Sequence, residues 1–180
     1  MAPYIARRAP QLRGAILMAA LARPIDETIA GQTAYRLRVA GQPEAVIAQQ
    51  LAELQKAFAR VRAGEAPDTE MIMFAPASYW RDFMQRNIPT AVGEAKLPLL
   101  ILQGGKDYQV KQADYDLLRQ ALADKPPSQA EFHWFADLNH LFIRVPGEST
   151  GAEYGRAGHV DPEVSETVVH WIGQQRARTP

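Results

Sequence analysis

KLPLLILQ, the segment Lys96–Gln103, decides the fold class of this chain. It is almost wholly apolar and shows no alternation of apolar and polar residues. A strand that is buried on both faces has this pattern, and such strands are typical of parallel sheets. Gly104-Gly105 follows directly and is expected to break the strand. We therefore predict a central strand of an α/β fold, followed by a sharp turn.

Two further strands are predicted, one on each side of this segment in the sequence. Arg13–Ala20 (RGAILMAA) is a second short apolar run, and Ala130–Ala136 alternates apolar with polar residues. Helical spacing or helix boundaries are found at Pro3–Arg8, Pro43–Ala63, Val110–Ala123 and Pro162–Gln174. Because predicted strands alternate with predicted helices along the chain, we predict an α/β fold with three parallel strands and flanking helices.

The region between the first two strands is expected to form a helical insert over about residues 25–95. Its clearest element is Pro43–Ala63, where Ile47, Leu51, Leu54, Phe58 and Val61 form one apolar stripe. Ala22–Gln42 shows no clear period, and Ala75–Glu94 is predicted as a short helix with loops. We expect residues 1–180 to form a single domain that carries this insert.

The composition excludes several classes of protein. The 180 residues carry 20 basic and 20 acidic side chains, so there is no positive excess to bind nucleic acid. The chain has no cysteine, which excludes disulfides, thiolate metal sites and a cysteine nucleophile. The four histidines lack metal-binding spacing, and we expect neither a metal nor a cofactor. No apolar run reaches the roughly 18 residues that span a membrane, so we expect a cytoplasmic protein.

Two polar segments follow neighbouring predicted strands. Asp107 lies just after Lys96–Gln103, and His140 lies just after Ala130–Ala136. Because the carboxyl ends of parallel strands share one edge of the sheet, these side chains can meet there. A carboxylate that holds one imidazole nitrogen leaves the other as a general base. The alternative is that Asp107 caps the next helix and His140 is an ordinary loop residue.

The chain resembles the C-terminal half of an α/β-hydrolase of the serine esterase and aminopeptidase-like type. The resemblance is found in RRAPQLRGAILMAALARP (Arg7–Pro24), LPLLILQGGKDYQV (Leu97–Val110), DLNHLF (Asp137–Phe142) and GHVDPEVSETVVHWI (Gly158–Ile172). It implies that Asp107 is the triad acid and His140 the triad base. It also implies that the insert is a cap, with Tyr79 and Trp80 near the substrate pocket. Tyr108, beside the acid, is a third candidate for substrate binding.

The family's serine nucleophile is missing from the expected place. In that fold, the serine lies in a G-x-S-x-G turn that precedes the acid, whereas this sequence resembles the family only from just after that turn. We therefore expect a truncated hydrolase. Gly147–Gly151 (GESTG) matches the pattern and makes Ser149 an alternative nucleophile, but it follows the histidine and no ordinary strand leads into it.

The predicted function is weak hydrolysis of a small-molecule ester, with Asp107 and His140 acting as a general base on water. The alternatives are a non-catalytic dimerising remnant and a half-enzyme that needs a complementing N-terminal fragment. A homodimer is expected, either through the exposed strand at residues 13–20 or through the cap helix at Pro43–Ala63. No nucleic-acid or membrane partner is expected.

Overall fold

The computed structural model describes residues 2–6, 8–9 and 11–177, so Arg7 and Pro10 of the matched N-terminal segment lie outside the described residues. The helices are α1 (Ala2–Ala6), α2 (Ile25–Val39), α3 (Glu44–Ala63), α4 (Ala77–Met84), α5 (Ile88–Gly93), α6 (Gln112–Ala121) and α7 (Pro162–Ala177). The strands are β1 (Ala15–Met18), β2 (Met71–Ile72), β3 (Ala75–Pro76), β4 (Leu99–Gly104) and β5 (Ala130–Phe135), and Ala152–Gly155 forms a 3₁₀ turn.

The main sheet has the order β1-β4-β5, and both pairings are parallel. In register, Leu17 lies beside Ile101, and Leu102 lies beside His133. All six residues of β4 are buried, as expected for a central strand that is covered on both faces. The predicted sheet of three parallel strands is therefore confirmed.

Helices cover both faces of this sheet because each presents an apolar side to it. On one face, α5 and α6 contribute Val92, Tyr115 and Leu118 to a core that includes Leu99 and Ile101. On the other face, α7 contributes Val164 and Trp171 to a core that includes Leu100 and Leu102. Alternate residues of β4 thus enter opposite cores, which follows from the two-residue period of a strand.

The chain divides into two compact units. One contains the main sheet and comprises residues 1–22 and 88–180, and the other is Arg23–Asn87. The second unit contains α2, α3, the short antiparallel pair β2–β3 and α4, around a core of Phe58, Val61, Ile72 and Trp80. The insert predicted at about residues 25–95 covers nearly the same residues as this second unit, Arg23–Asn87. Its role as a cap stays a prediction.

Two helical regions differ from the sequence expectations. Helix α2 lies in a region whose sequence shows no clear period. Only Thr28, Ile29 and Ala34 are buried along its 15 residues, so no continuous apolar stripe indicates the helix in the sequence. The region expected to hold one short helix contains both α4 and α5. Among the described residues, no helix is both long enough and apolar enough to cross a membrane.

Candidate active site

The turn after β4 brings two loops into close backbone contact. A Cβ atom at Gly104 would lie 2.5 Å from the carbonyl oxygen of Leu138, and one at Gly105 would lie 2.5 Å from that of Ala136. Both distances are too short for a real side chain, so only glycine fits at these positions. The Lys106 N–H donates to the Leu138 carbonyl at 2.9 Å. The loop after β4 and the loop after β5 are therefore held together at this edge of the sheet.

Asp107 lies in the first of these loops, and its carboxylate is fully enclosed. Its Oδ1 accepts hydrogen bonds from the backbone N–H groups of Gln109 at 2.7 Å and Val110 at 2.9 Å. Its Oδ2 accepts one from the side-chain amide of Gln103 at 3.2 Å. Gln103 is buried at the end of β4 and also donates to the Val110 carbonyl at 2.9 Å. These donors fix the orientation of the carboxylate.

His140 lies in the second loop, and its Nδ1 is 2.8 Å from Asp107 Oδ2. Because the Asp107 oxygens act as acceptors for several N–H groups, Nδ1 carries the hydrogen in this pair. Nε2 is then the basic nitrogen of the neutral ring. The His140 side chain is 28% exposed, whereas that of Asp107 is 0% exposed. The arrangement can therefore take a proton from a molecule in solution while the carboxylate stays enclosed.

Asp107 does not serve as the N-cap of α6, which was the alternative to pairing with His140. The N-cap of that helix is Lys111, whose backbone N–H donates to Asp114 Oδ2 at 3.0 Å. Asp107 instead accepts two N–H groups from the turn before the helix and also reaches His140.

Asn139 shapes the loop that carries His140. It is completely buried, and its Oδ1 accepts from the N–H groups of Leu141 at 3.0 Å and Ile143 at 3.1 Å. Its backbone carbonyl accepts from the Phe142 N–H at 2.9 Å, and Phe142 has a φ of 56°. These bonds close a tight turn that directs the His140 ring towards Asp107.

Ser149 is 1% exposed, and its hydroxyl donates to Glu153 Oε1. Burial favours the neutral form of Glu153, but the hydrogen bonds from Ser149, its own backbone and Asn139 outweigh this and hold the pKa of Glu153 below its usual value. The structure therefore brings Asp107 and His140 together and places the Ser149 hydroxyl against Glu153. A nucleophilic role for Ser149 stays a prediction.

The aromatic candidates lie in different units. Trp80 is 1% exposed in the core of Arg23–Asn87, where its Nε1 donates to the Ile72 carbonyl at 2.9 Å. Tyr79 is 46% exposed, and its ring contacts Trp80 edge-on at a centroid distance of 5.1 Å. Tyr108 belongs to the main-sheet unit and stacks on Tyr154 at 6.2 Å. Trp80 packs as a core residue here, and substrate contacts by all three stay predictions.

Sequence reasoning missed three residues that surround the pair, namely Gln103, Asn139 and Glu153. Gln103 has a signal, because it is the polar residue that ends an otherwise apolar strand. Asn139 stands next to His140 but gives no sign by itself of being buried. Glu153 gives no signal because its partners come from other loops. Among the described residues, no group of three or more metal-ligating side chains is arranged to hold an ion.

No family model matches the chain. The curated protein "Esterase EstD" of Thermotoga maritima is 31% identical over 172 residues, which cover 96% of this chain and 40% of that protein. The chain is therefore similar to a protein named as an esterase over almost its whole length. This relationship and the parallel sheet confirm the resemblance given by the sequence motifs. The chain spans about two fifths of the length of the esterase it matches.

A comparison with solved structures gives a crystal structure titled "Putative non-heme bromoperoxidase BpoC", from Mycobacterium tuberculosis. The TM-score is 0.49 and the sequence identity is 13%. The match covers 97% of this chain and 63% of the bromoperoxidase chain.

Proposed function

We propose that this chain hydrolyses ester bonds, with Asp107 and His140 as the general base. The observation that carries the proposal is the 2.8 Å hydrogen bond between His140 Nδ1 and the enclosed carboxylate of Asp107. The relationship to a protein named as an esterase supports the same reaction class. The proposed substrate is a small-molecule ester. Tyr108, which directly follows Asp107 in the sequence, is proposed to contact it.

In the proposed reaction, His140 Nε2 takes a proton from water while the water oxygen attacks the ester carbonyl carbon. The product is a tetrahedral intermediate beside an imidazolium ion, which Asp107 stabilises through Nδ1–H. The intermediate then breaks its bond to the alcohol oxygen, which takes the proton from Nε2. A carboxylic acid and an alcohol are released. General-base catalysis by one side chain contributes roughly 10²–10⁴-fold, so weak turnover of activated esters is expected.

The first test replaces the proposed base. We expect His140→Ala to abolish hydrolysis of an activated aryl ester, because no basic nitrogen remains beside Asp107. His133→Ala is the matched control, since His133 lies in the same unit and also pairs with a carboxylate, that of Glu131, at 2.8 Å. Turnover should be unchanged in the control. Equal turnover in wild type and His140→Ala would reject the proposed base.

A reactive serine probe distinguishes attack by water from attack by a side chain. Under attack by water, a fluorophosphonate should leave the protein unlabelled while ester turnover continues. Labelling at Ser149 would instead identify the Ser149 hydroxyl, and not water, as the nucleophile.

The open edge of the main sheet favours a second proposal, association of two copies through β1. Among the described residues, β1 pairs with β4 on one side, and Met18 at its end is 46% exposed. The N–H groups of Ala15 and Ala19 point to β4, so those of Ile16 and Met18 point to the other edge. Antiparallel pairing of two such edges would form a closed two-fold dimer.

Sedimentation tests this association. We expect wild type to sediment as a dimer and Met18→Pro as a monomer, because proline removes an outward N–H without removing a bond to β4. Met18→Ala keeps that N–H and should remain a dimer. A folded wild-type monomer at all concentrations would reject the dimer.

If aryl ester turnover then appeared only after addition of a fragment carrying a G-x-S-x-G turn, the half-enzyme alternative would apply. A dimer without turnover would be the non-catalytic remnant.

A further inference from the structure

The 3₁₀ turn Ala152–Gly155 contacts both loops that carry the proposed base. Glu153 Oε1 accepts a hydrogen bond from the side-chain amide of Asn139 at 3.2 Å. The neighbouring Tyr154 hydroxyl accepts one from the side-chain amide of Gln109 at 3.0 Å. Consecutive residues of one short turn therefore reach the His140 loop and the Asp107 loop.

Each of these contacts lies one residue or one hydrogen bond away from the pair. Asn139 precedes His140 and closes its turn through the N–H groups of Leu141 and Ile143. Gln109 donates its own backbone N–H to Asp107 Oδ1 at 2.7 Å. A displacement of the 3₁₀ turn would therefore act on both sides of the bond between Asp107 and His140.

Further contacts hold the 3₁₀ turn in place. Ser149 is buried and donates to the same carboxylate oxygen of Glu153 that accepts from Asn139. The ring of Tyr154 stacks on Tyr108 with an interplanar angle of 20°. Gly151, which precedes the turn, has a φ of 85°, and a Cβ atom there would lie 3.0 Å from the Tyr108 hydroxyl. The turn is thus packed against the Asp107 loop as well as bonded to it.

We propose that Glu153 and Tyr154 are positioning residues that hold the Asp107 and His140 loops at hydrogen-bonding distance. Neither residue is assigned a contact with substrate. The catalytic consequence rests on the proposed ester hydrolysis, whereas the positioning itself can be measured without any turnover.

Four variants test the positioning role. Glu153→Ala removes the acceptor for Asn139, and Glu153→Gln keeps an oxygen at the same place. Tyr154→Phe removes the hydroxyl and keeps the ring that stacks on Tyr108. Glu131→Ala is the matched control, because it removes a hydrogen-bonded carboxylate of the same unit whose partner is His133.

Two readouts follow the loops directly. The first is hydrogen exchange of four amides bonded to Asp107 or Asn139, namely those of Gln109, Val110, Leu141 and Ile143. The second is the ¹⁵N chemical shift of His140 Nδ1, which reports its bond to Asp107.

We expect Glu153→Ala to speed exchange of the Leu141 and Ile143 amides by about tenfold, and Tyr154→Phe to do the same for Gln109 and Val110. Both variants should shift the Nδ1 signal, while amides of β4 keep their exchange rates.

Glu153→Gln and Glu131→Ala should retain the wild-type signals at both loops. An unchanged Nδ1 shift and unchanged loop exchange in Glu153→Ala and Tyr154→Phe would overturn the proposal. Equal acceleration at the loops and at β4 would also overturn it, because the residues would then support only global stability. If wild type hydrolyses no ester but the loop pattern holds, the proposed function fails and the positioning role stands. If turnover is present, kcat should fall in Glu153→Ala with KM unchanged.

Discussion

At the scale of the residue, Gln103 shows how much one buried side chain orders the site. Its amide donates to Asp107 Oδ2 and to the carbonyls of Gly104 and Val110. We expect Gln103→Leu to lower the free energy of unfolding by about 1–3 kcal/mol, since buried acceptors lose their donor. Urea unfolding measures this loss. Gln175→Leu is the control, because that buried amide donates to the Trp171 carbonyl of its own helix, and its loss should be smaller.

The sequence could predict the Asp107–His140 pair but not its surroundings. Both residues directly follow strands whose apolar patterns are clear, so strand topology alone brings them to one edge. The partners of Glu153 depend on the path of the loop after His140, which no periodicity describes. A loop path is decided by contacts with distant residues, and these cannot be read from local composition.

At the scale of the element, the turn after β4 depends on a close approach between two backbones. Gly104→Ala would place a methyl group 2.5 Å from the Leu138 carbonyl oxygen. We expect a loss of about 1–3 kcal/mol in unfolding free energy, since overpacking against backbone cannot be relieved by a rotamer change. Gly147→Ala is the control, because nothing lies within 4 Å of a Cβ atom there. Equal stability of the two variants would contradict the tight approach.

Strands and strongly periodic helices were the predictable elements. The position of β4 follows from an apolar run, and that of α3 from a stripe that ends at Gly64, whose φ is 77°. Helix α2 could not be predicted in this way, because its few buried residues, Thr28, Ile29 and Ala34, do not form a continuous apolar stripe. Its helical conformation depends on packing within its own unit, where it lies against α3.

At the scale of the whole molecule, Glu153 connects the stability of the chain to pH. Its pKa is lower in the folded protein than the usual value of 4.5, so the unfolded chain binds more protons in this range. The stabilisation is present above the unfolded pKa and is lost as pH falls through the folded pKa. We expect wild type to lose its stability advantage over Glu153→Gln as pH falls below about 4.5. Urea unfolding of both proteins at several pH values measures this, and parallel pH curves would contradict it.

The two cores on opposite faces of β4 have a consequence for synthesis on the ribosome. Asp107 and His140 leave the exit tunnel before Val164 and Trp171, which cover the second face of the central strand. A nascent chain that has released His140 from the tunnel still lacks the α7 residues that cover Leu100 and Leu102 in the folded protein. We therefore expect the Asp107–His140 pair to be held in a stable molecule only after α7 docks, and a chaperone that binds apolar strands would act in that interval.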